Sequence, residues 1–149
     1  MLRRTHPHLR TLCRCLEIPV LMVAAAASVR AEGVPVPEAA KFLQILASST
    51  GSEGRVACKE LDMVFQLKRQ DISVDAKANV AWSFTPDQTK FYAGQGKLVV
   101  CNSRKLFVDG GAIAFERIGG RLTIFIHQAN LGRSGITLPD SFLRVAVKM

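Results

Sequence analysis

The sequence predicts a single α/β domain, a mixed sheet of about five strands with helices packed on it. Three observations predict it. From Arg55 to Cys101, short apolar β-type runs alternate with segments of helical spacing, which argues for three parallel strands joined by right-handed helical crossovers. Ala112–Glu116 and Arg121–Ile126 are apolar runs around Gly119-Gly120, the pattern of an antiparallel hairpin. Phe142, Leu143, Val145 and Ala146 then give a closing segment the apolar face of a helix.

Taken in order, Val34-Pro35-Val36-Pro37 is extended and leads into a helix over Glu38–Ala47. Its apolar side is Ala39, Phe42, Leu43 and Leu46, with Pro37 suited to the first turn and Glu38 to the positive end of the dipole. Ser48 to Gly54 is a polar loop. Val56-Ala57-Cys58 is the first strand, Leu61, Val64, Phe65 and Leu67 mark a helix that ends near Gln70, and Asn79–Trp82 is the second strand. Thr85 caps a short helix, with Pro86 in its first turn and its end at Gly94. Lys97–Cys101 is the third strand and Arg104–Asp109 a connector. On the second hairpin strand Leu122, Ile124 and Ile126 share one face, Thr123 and Phe125 the other. Asn130 to Gly135 is turn-rich, and Thr137-Leu-Pro-Asp140 has capping-box spacing before the last helix.

With 149 residues, 48% apolar and 21% charged, the chain has the composition of one globular domain with its own core. The net charge of +8 suggests nucleic-acid binding until it is located. Arg3, Arg4, Arg10, Arg14 and Arg30 against Glu17 put half of it in the first 31 residues, and the rest is interspersed with acids as on a solvated surface. Met1 to Ala31 has a basic opening, an apolar run from Ile18 through Val29, and Val29-Arg30-Ala31 ahead of Glu32-Gly33. These are the parts of a secretory signal peptide, cleaved after Ala31, which leaves residues 32–149 as the exported, periplasmic domain without stable membrane insertion. The alternative is an uncleaved anchor, although the run is shorter than the roughly 20 apolar residues a bilayer core requires.

Cys58 and Cys101 are the cysteines after the leader, each at the carboxyl end of an expected parallel strand. In an oxidising compartment two such thiols commonly pair, and a Cys58–Cys101 bridge is within reach if the first and third strands are neighbours, as in flavodoxin-like order. Two buried free thiols, or a redox or metal role, are the alternatives. His127 stands alone after the leader, without the partners of a ligand or base. Asp109 and Glu116 read as a turn residue and a solvent-facing partner of Arg117. Ser103, Ser134 and Ser141 lack a nucleophile-elbow setting. Catalysis has no positive signal, and no cofactor or metal set is expected.

Lys97-Leu-Val-Val-Cys101-Asn-Ser, then Gly110-Gly111-Ala-Ile, Arg117-Ile-Gly-Gly-Arg121, Asn130-Leu131, Gly135 and Leu138-x-x-Ser141-x-Leu143 resemble the YfiR-like periplasmic family. Val80-Ala-Trp82 resembles that family's second strand more loosely. One departure is Ala47-Ser-Ser-Thr-Gly51, where family members often carry Trp-Pro after the first helix. The resemblance implies a periplasmic α/β domain without enzymatic activity. Such a module binds the ectodomain of a membrane sensor, as the best-understood member restrains a membrane-bound diguanylate cyclase and lowers cyclic-di-GMP. A homodimer is compatible with that reading. The alternative is a periplasmic small-ligand module, with a crevice at the carboxyl ends of the strands near Cys58, Ser83 and Cys101 to Arg104, where Arg104 and Lys105 would meet an anion.

Overall fold

The structure is a computed structural model and describes residues 32–149. The expected leader and its cleavage site lie outside the described residues. Strand β1 (Glu32–Gly33) and helix α1 (Val36–Ser49) are followed by β2 (Arg55–Val56), α2 (Leu61–Lys68), β3 (Ser73–Val74) and β4 (Val80–Ser83). Next come α3 (Pro86–Gly94), β5 (Leu98–Cys101), a 3-10 helix (Arg104–Asp109) and the hairpin β6 (Ile113–Ile118) and β7 (Arg121–Ile126). Helices α4 (Gln128–Ser134) and α5 (Asp140–Val145) lead to β8 (Ala146–Lys148). The predicted α/β mixed sheet is the fold observed.

The main path is β4-β5-β6-β7-β8, parallel throughout except for the antiparallel hairpin, with β1 pairing antiparallel to the far half of β6. On the other flank β2 and β3 pair in parallel and join β4 through one bridge, Ala57 opposite Ala81. Its two backbone bonds are Ala57 N–H to Val80 O at 2.8 Å and Trp82 N–H to Ala57 O at 2.9 Å. The order across the molecule is therefore β3-β2-β4-β5-β6-β7-β8. From β2 the chain steps one way to β3 and then the other way to β4 and β5, so the order in which strands are added reverses between β2 and β4 while the four strands run parallel. Helices α2 and α3 accordingly cover opposite faces, and both crossovers keep the same hand.

One face carries the main core. Val80, Trp82, Leu98, Val100, Ile113, Phe115, Ile124 and Ile126 pack beneath Ala39, Leu43 and Leu46 of α1, Met63 and Leu67 of α2, and Phe142 of α5. On the other face Ala81, Val99 and Cys101 meet Tyr92 of α3 and Leu106, while Ala114 and Phe125 meet Phe107. Covered on both sides, β4 and β5 are buried at every position, which is why their sequences, VAWS and LVVC, run apolar without alternation. The turn between β6 and β7 needs two left-handed residues, and Gly119 and Gly120 supply them at φ 57° and 77°.

Four local expectations are corrected. Asn130 to Gly135 is mostly the short helix α4, capped by the His127 ring, whose Nδ1 accepts the Asn130 N–H at 3.3 Å. Thr137 caps nothing, since α5 begins after Pro139 without a side-chain cap, and Ala146 has already left the helix for β8. In α2 the buried pair is Met63 and Leu67, whereas Leu61 and Phe65 project outward. The strands β1, β3 and β8, two or three residues long, exist only because a neighbouring strand holds them in register, and so carry no periodic signal of their own.

Candidate functional site

The reversal between β2 and β4 opens the sheet at its carboxyl edge, where crevices form in open α/β sheets. The chain leaving β2 is pinned across that edge. Cys58 Sγ lies 3.6 Å from Glu60 O. Glu60 Oε2 accepts the Trp82 indole N–H at 2.8 Å, tying the start of α2 to the end of β4. Lys59 reaches the other way and sets its Nζ 4.4 Å from the centroid of the Phe91 ring on α3. Phe91 in turn meets Tyr92 edge-on at 5.4 Å.

These contacts leave apolar side chains in solvent around the edge: Leu61 is 82% exposed, Phe65 61%, Phe91 50% and Phe84 40%. Leu61 and Phe65 are one helical turn apart and share the outer face of α2, where Arg69 stands 5.9 Å from the Phe65 ring. Aromatic rings flanked by cations are the composition of a protein-binding surface. The arrangement presents apolar and aromatic side chains to solvent beside two cations. Among the described residues no group of three His, Cys, Asp or Glu side chains is placed to hold a metal ion, and no helix is long and apolar enough to cross a membrane.

The residues singled out from the sequence do not converge. The Cys58–Cys101 bridge is not made, and both thiols are free. β4 lies between their strands, and the two side chains pack on opposite faces of the sheet, Cys58 against the main core and Cys101 beneath α3. The strand beside β2 is β4 because Ser73–Val74 is itself the second strand, so the neighbour of Cys101 in register is Ser83. Burial pushes the Cys58 thiol up to about 11 and that of Cys101 to about 12, so both are neutral and unreactive at ordinary pH.

Ser83 is fully buried and its hydroxyl is spent internally, 3.1 Å from Thr85 O and 2.8 Å from Thr89 Oγ1. Arg104 is committed to Glu116, and its guanidinium carbon lies 4.0 Å from the Phe125 ring centroid. Lys105 is exposed and apart. Ser83, Arg104 and Lys105 thus form no common crevice. Glu116, expected in solvent beside Arg117, is buried, and Arg117 pairs instead with Glu38 of α1. The edge residues Lys59, Glu60, Leu61, Phe84 and Phe91 escaped sequence reasoning; the available signal was α2, an eight-residue helix with apolar residues on two sides.

No protein-family model matches the chain, and no curated protein matches it. Among solved structures, a conserved domain protein from Vibrio cholerae O1 biovar El Tor str. N16961 is similar, with a TM-score of 0.57 at 10% sequence identity. The similarity covers 76% of this chain and 60% of that one, so the chain spans about three fifths of its neighbour's length. At that identity the likeness is one of fold, and what it establishes is the architecture: a single α/β domain built on a mixed sheet.

Proposed function

We propose that this chain is an exported, periplasmic regulatory or sensory module that binds the ectodomain of a membrane signalling protein and restrains its output, a diguanylate cyclase being the partner implied by the YfiR-like resemblance. The observation that carries the reading is the exposed apolar rim of the carboxyl edge, Leu61, Phe65, Phe84 and Phe91, flanked by Lys59 and Arg69. Large apolar side chains left in solvent favour an interaction surface, and aromatic residues dominate the energetics of protein interfaces. The leader-like first 31 residues agree with export.

The test is genetic. Deleting the gene should raise cellular cyclic-di-GMP, and the wild-type copy should restore it. A copy carrying Leu61→Ser and Phe91→Ser should reach the periplasm in equal amount and fail to restore it. Unchanged cyclic-di-GMP on deletion removes the cyclase partner, and full rescue by the double variant removes this rim as the contact.

A further inference from the structure

The side chain that caps α4 is an imidazole, and the residue it caps clamps the connector between the 3-10 helix and β6. We infer that His127 and Asn130 form an acid-sensitive latch: the neutral His127 ring holds the first turn of α4, and protonation at Nδ1 releases that turn and the Asn130 side chain with it.

His127 is half-buried, so its ring exchanges protons with solvent. Its Nδ1 accepts the Asn130 N–H at 3.3 Å and its main-chain O accepts the Leu131 N–H at 3.0 Å. Phe107 of the 3-10 helix lies against the ring, with centroids 5.5 Å apart. An accepting Nδ1 places the proton of the neutral ring on Nε2. A second proton turns Nδ1 from acceptor into donor and sets a positive charge at the positive end of the helix. Both effects oppose the first turn. Helix α4 has seven residues and Asn130 is its buried side chain, so packing offers it little to replace the cap.

Asn130 carries the loss of the cap outward. Its Nδ2 donates to Phe107 O at 2.8 Å and to Gly111 O at 2.7 Å, tying the end of the 3-10 helix to the entry of β6. One residue thus supplies both the N–H that the ring holds and the amide that holds the connector.

Charged groups on the elements around the ring are Arg104, Lys105 and Asp109 of the 3-10 helix, Glu116 of β6, Arg133 of α4 and Lys148 of β8. The two carboxylates are paired elsewhere, Asp109 with Lys90 and Glu116 with Arg104, and among the described residues none makes an ion pair with His127. His127 is also the one histidine after the first 31 residues, and histidine is the side chain that ordinarily changes charge between pH 5 and 8.

The experiment is solvent exchange of amide protons in the isotope-labelled exported chain, followed by NMR at pH 8 and pH 5 and referred to an unstructured chain at the same pH. Expected on acidification is a rise of about fivefold at the Asn130 and Leu131 N–H and at the Asn130 side-chain NH2, the effect of losing one cap. Asparagine is a capping residue that does not titrate, so His127→Asn should keep the folded spectrum at pH 8 and exchange equally at both values. Ring nitrogen shifts of the wild type give a check that needs no variant, since at pH 8 the proton should stand on Nε2. A proton on Nδ1 at pH 8, wild-type exchange in α4 that ignores pH, or an Asn130 NH2 that stays protected while the backbone opens each overturns the inference. So does a His127→Asn chain as acid-sensitive as the wild type.

Discussion

Glu116 accepts two hydrogen bonds from the same residue, the backbone N–H of Arg104 to Oε1 at 2.6 Å and the Nε–H of Arg104 to Oε2 at 2.8 Å. This bidentate clasp bolts the start of the 3-10 helix onto β6, and Phe125 of β7 closes it from the flank. Glu116 is 3% exposed, so the carboxylate depends on Arg104 for its charge balance.

Removing one partner should therefore cost more than a surface ion pair is worth. Arg104→Ala leaves a buried carboxylate uncompensated and is expected to destabilise the domain by about 3–5 kcal/mol. Glu116→Gln keeps the shape and should cost about 1.5–3 kcal/mol. Urea denaturation of the two single variants and the double variant checks this, and additive losses would show that the two groups act independently.

Gly111 lies against Cys101, and a Cβ added there falls 2.5 Å from Cys101 Sγ and 3.0 Å from Leu106 O. Gly111→Ala should cost about 1–3 kcal/mol by overpacking. Combined with Cys101→Ala the loss should be less than additive, because one of the two clashes disappears with the sulfur. A double-mutant cycle in denaturant measures the difference.

The two thiols make stability fall in alkali. Both folded values, about 11 for Cys58 and about 12 for Cys101, lie above the ordinary 9.0, so between these limits the native state holds protons that the unfolded chain releases. The contribution is complete below pH 9.0 and declines as pH rises toward 11 and 12. Burial also raises Tyr92 above 10.0, which acts in the same direction. Denaturation midpoints from pH 8 to 11 should fall, and Cys58→Ala with Cys101→Ala should flatten that slope. Oxidised, unfolded protein should titrate as two free thiols for residues 32–149.

Leu61→Ser and Phe65→Ser should leave stability within about 0.5 kcal/mol of wild type, since both side chains are already in solvent. Met63→Ala and Leu67→Ala, on the opposite side of α2, should each cost about 2–5 kcal/mol. Thermal denaturation of the four variants separates the core side of the helix from the side available to a partner.

The legible parts of this chain were those with local causes. Thr85-Pro86 wrote the start of α3, as its hydroxyl accepting the Gln88 N–H at 3.4 Å confirms. Gly119-Gly120 wrote the hairpin turn, and unbroken apolar runs wrote β4 and β5. These signals act over a few residues and survive without tertiary support, which is why the α/β class was readable.

What only the tertiary structure decided was neighbourhood. Ser73–Val74 is a strand because Arg55–Val56 pairs with it, and that unannounced strand moved β4 beside β2 and put Cys58 and Cys101 on opposite faces. Glu116 lost the water expected for it because Arg104, twelve residues away, folds back over the sheet. In α2 periodicity offered two apolar sides, and only packing under α1 chose which one to bury. Sequence fixes local conformation through short-range sterics and hydrogen bonds. Pairing partners, burial and charge compensation are properties of distant segments meeting, and for this protein they determine which apolar side chains of α2 are left at the rim.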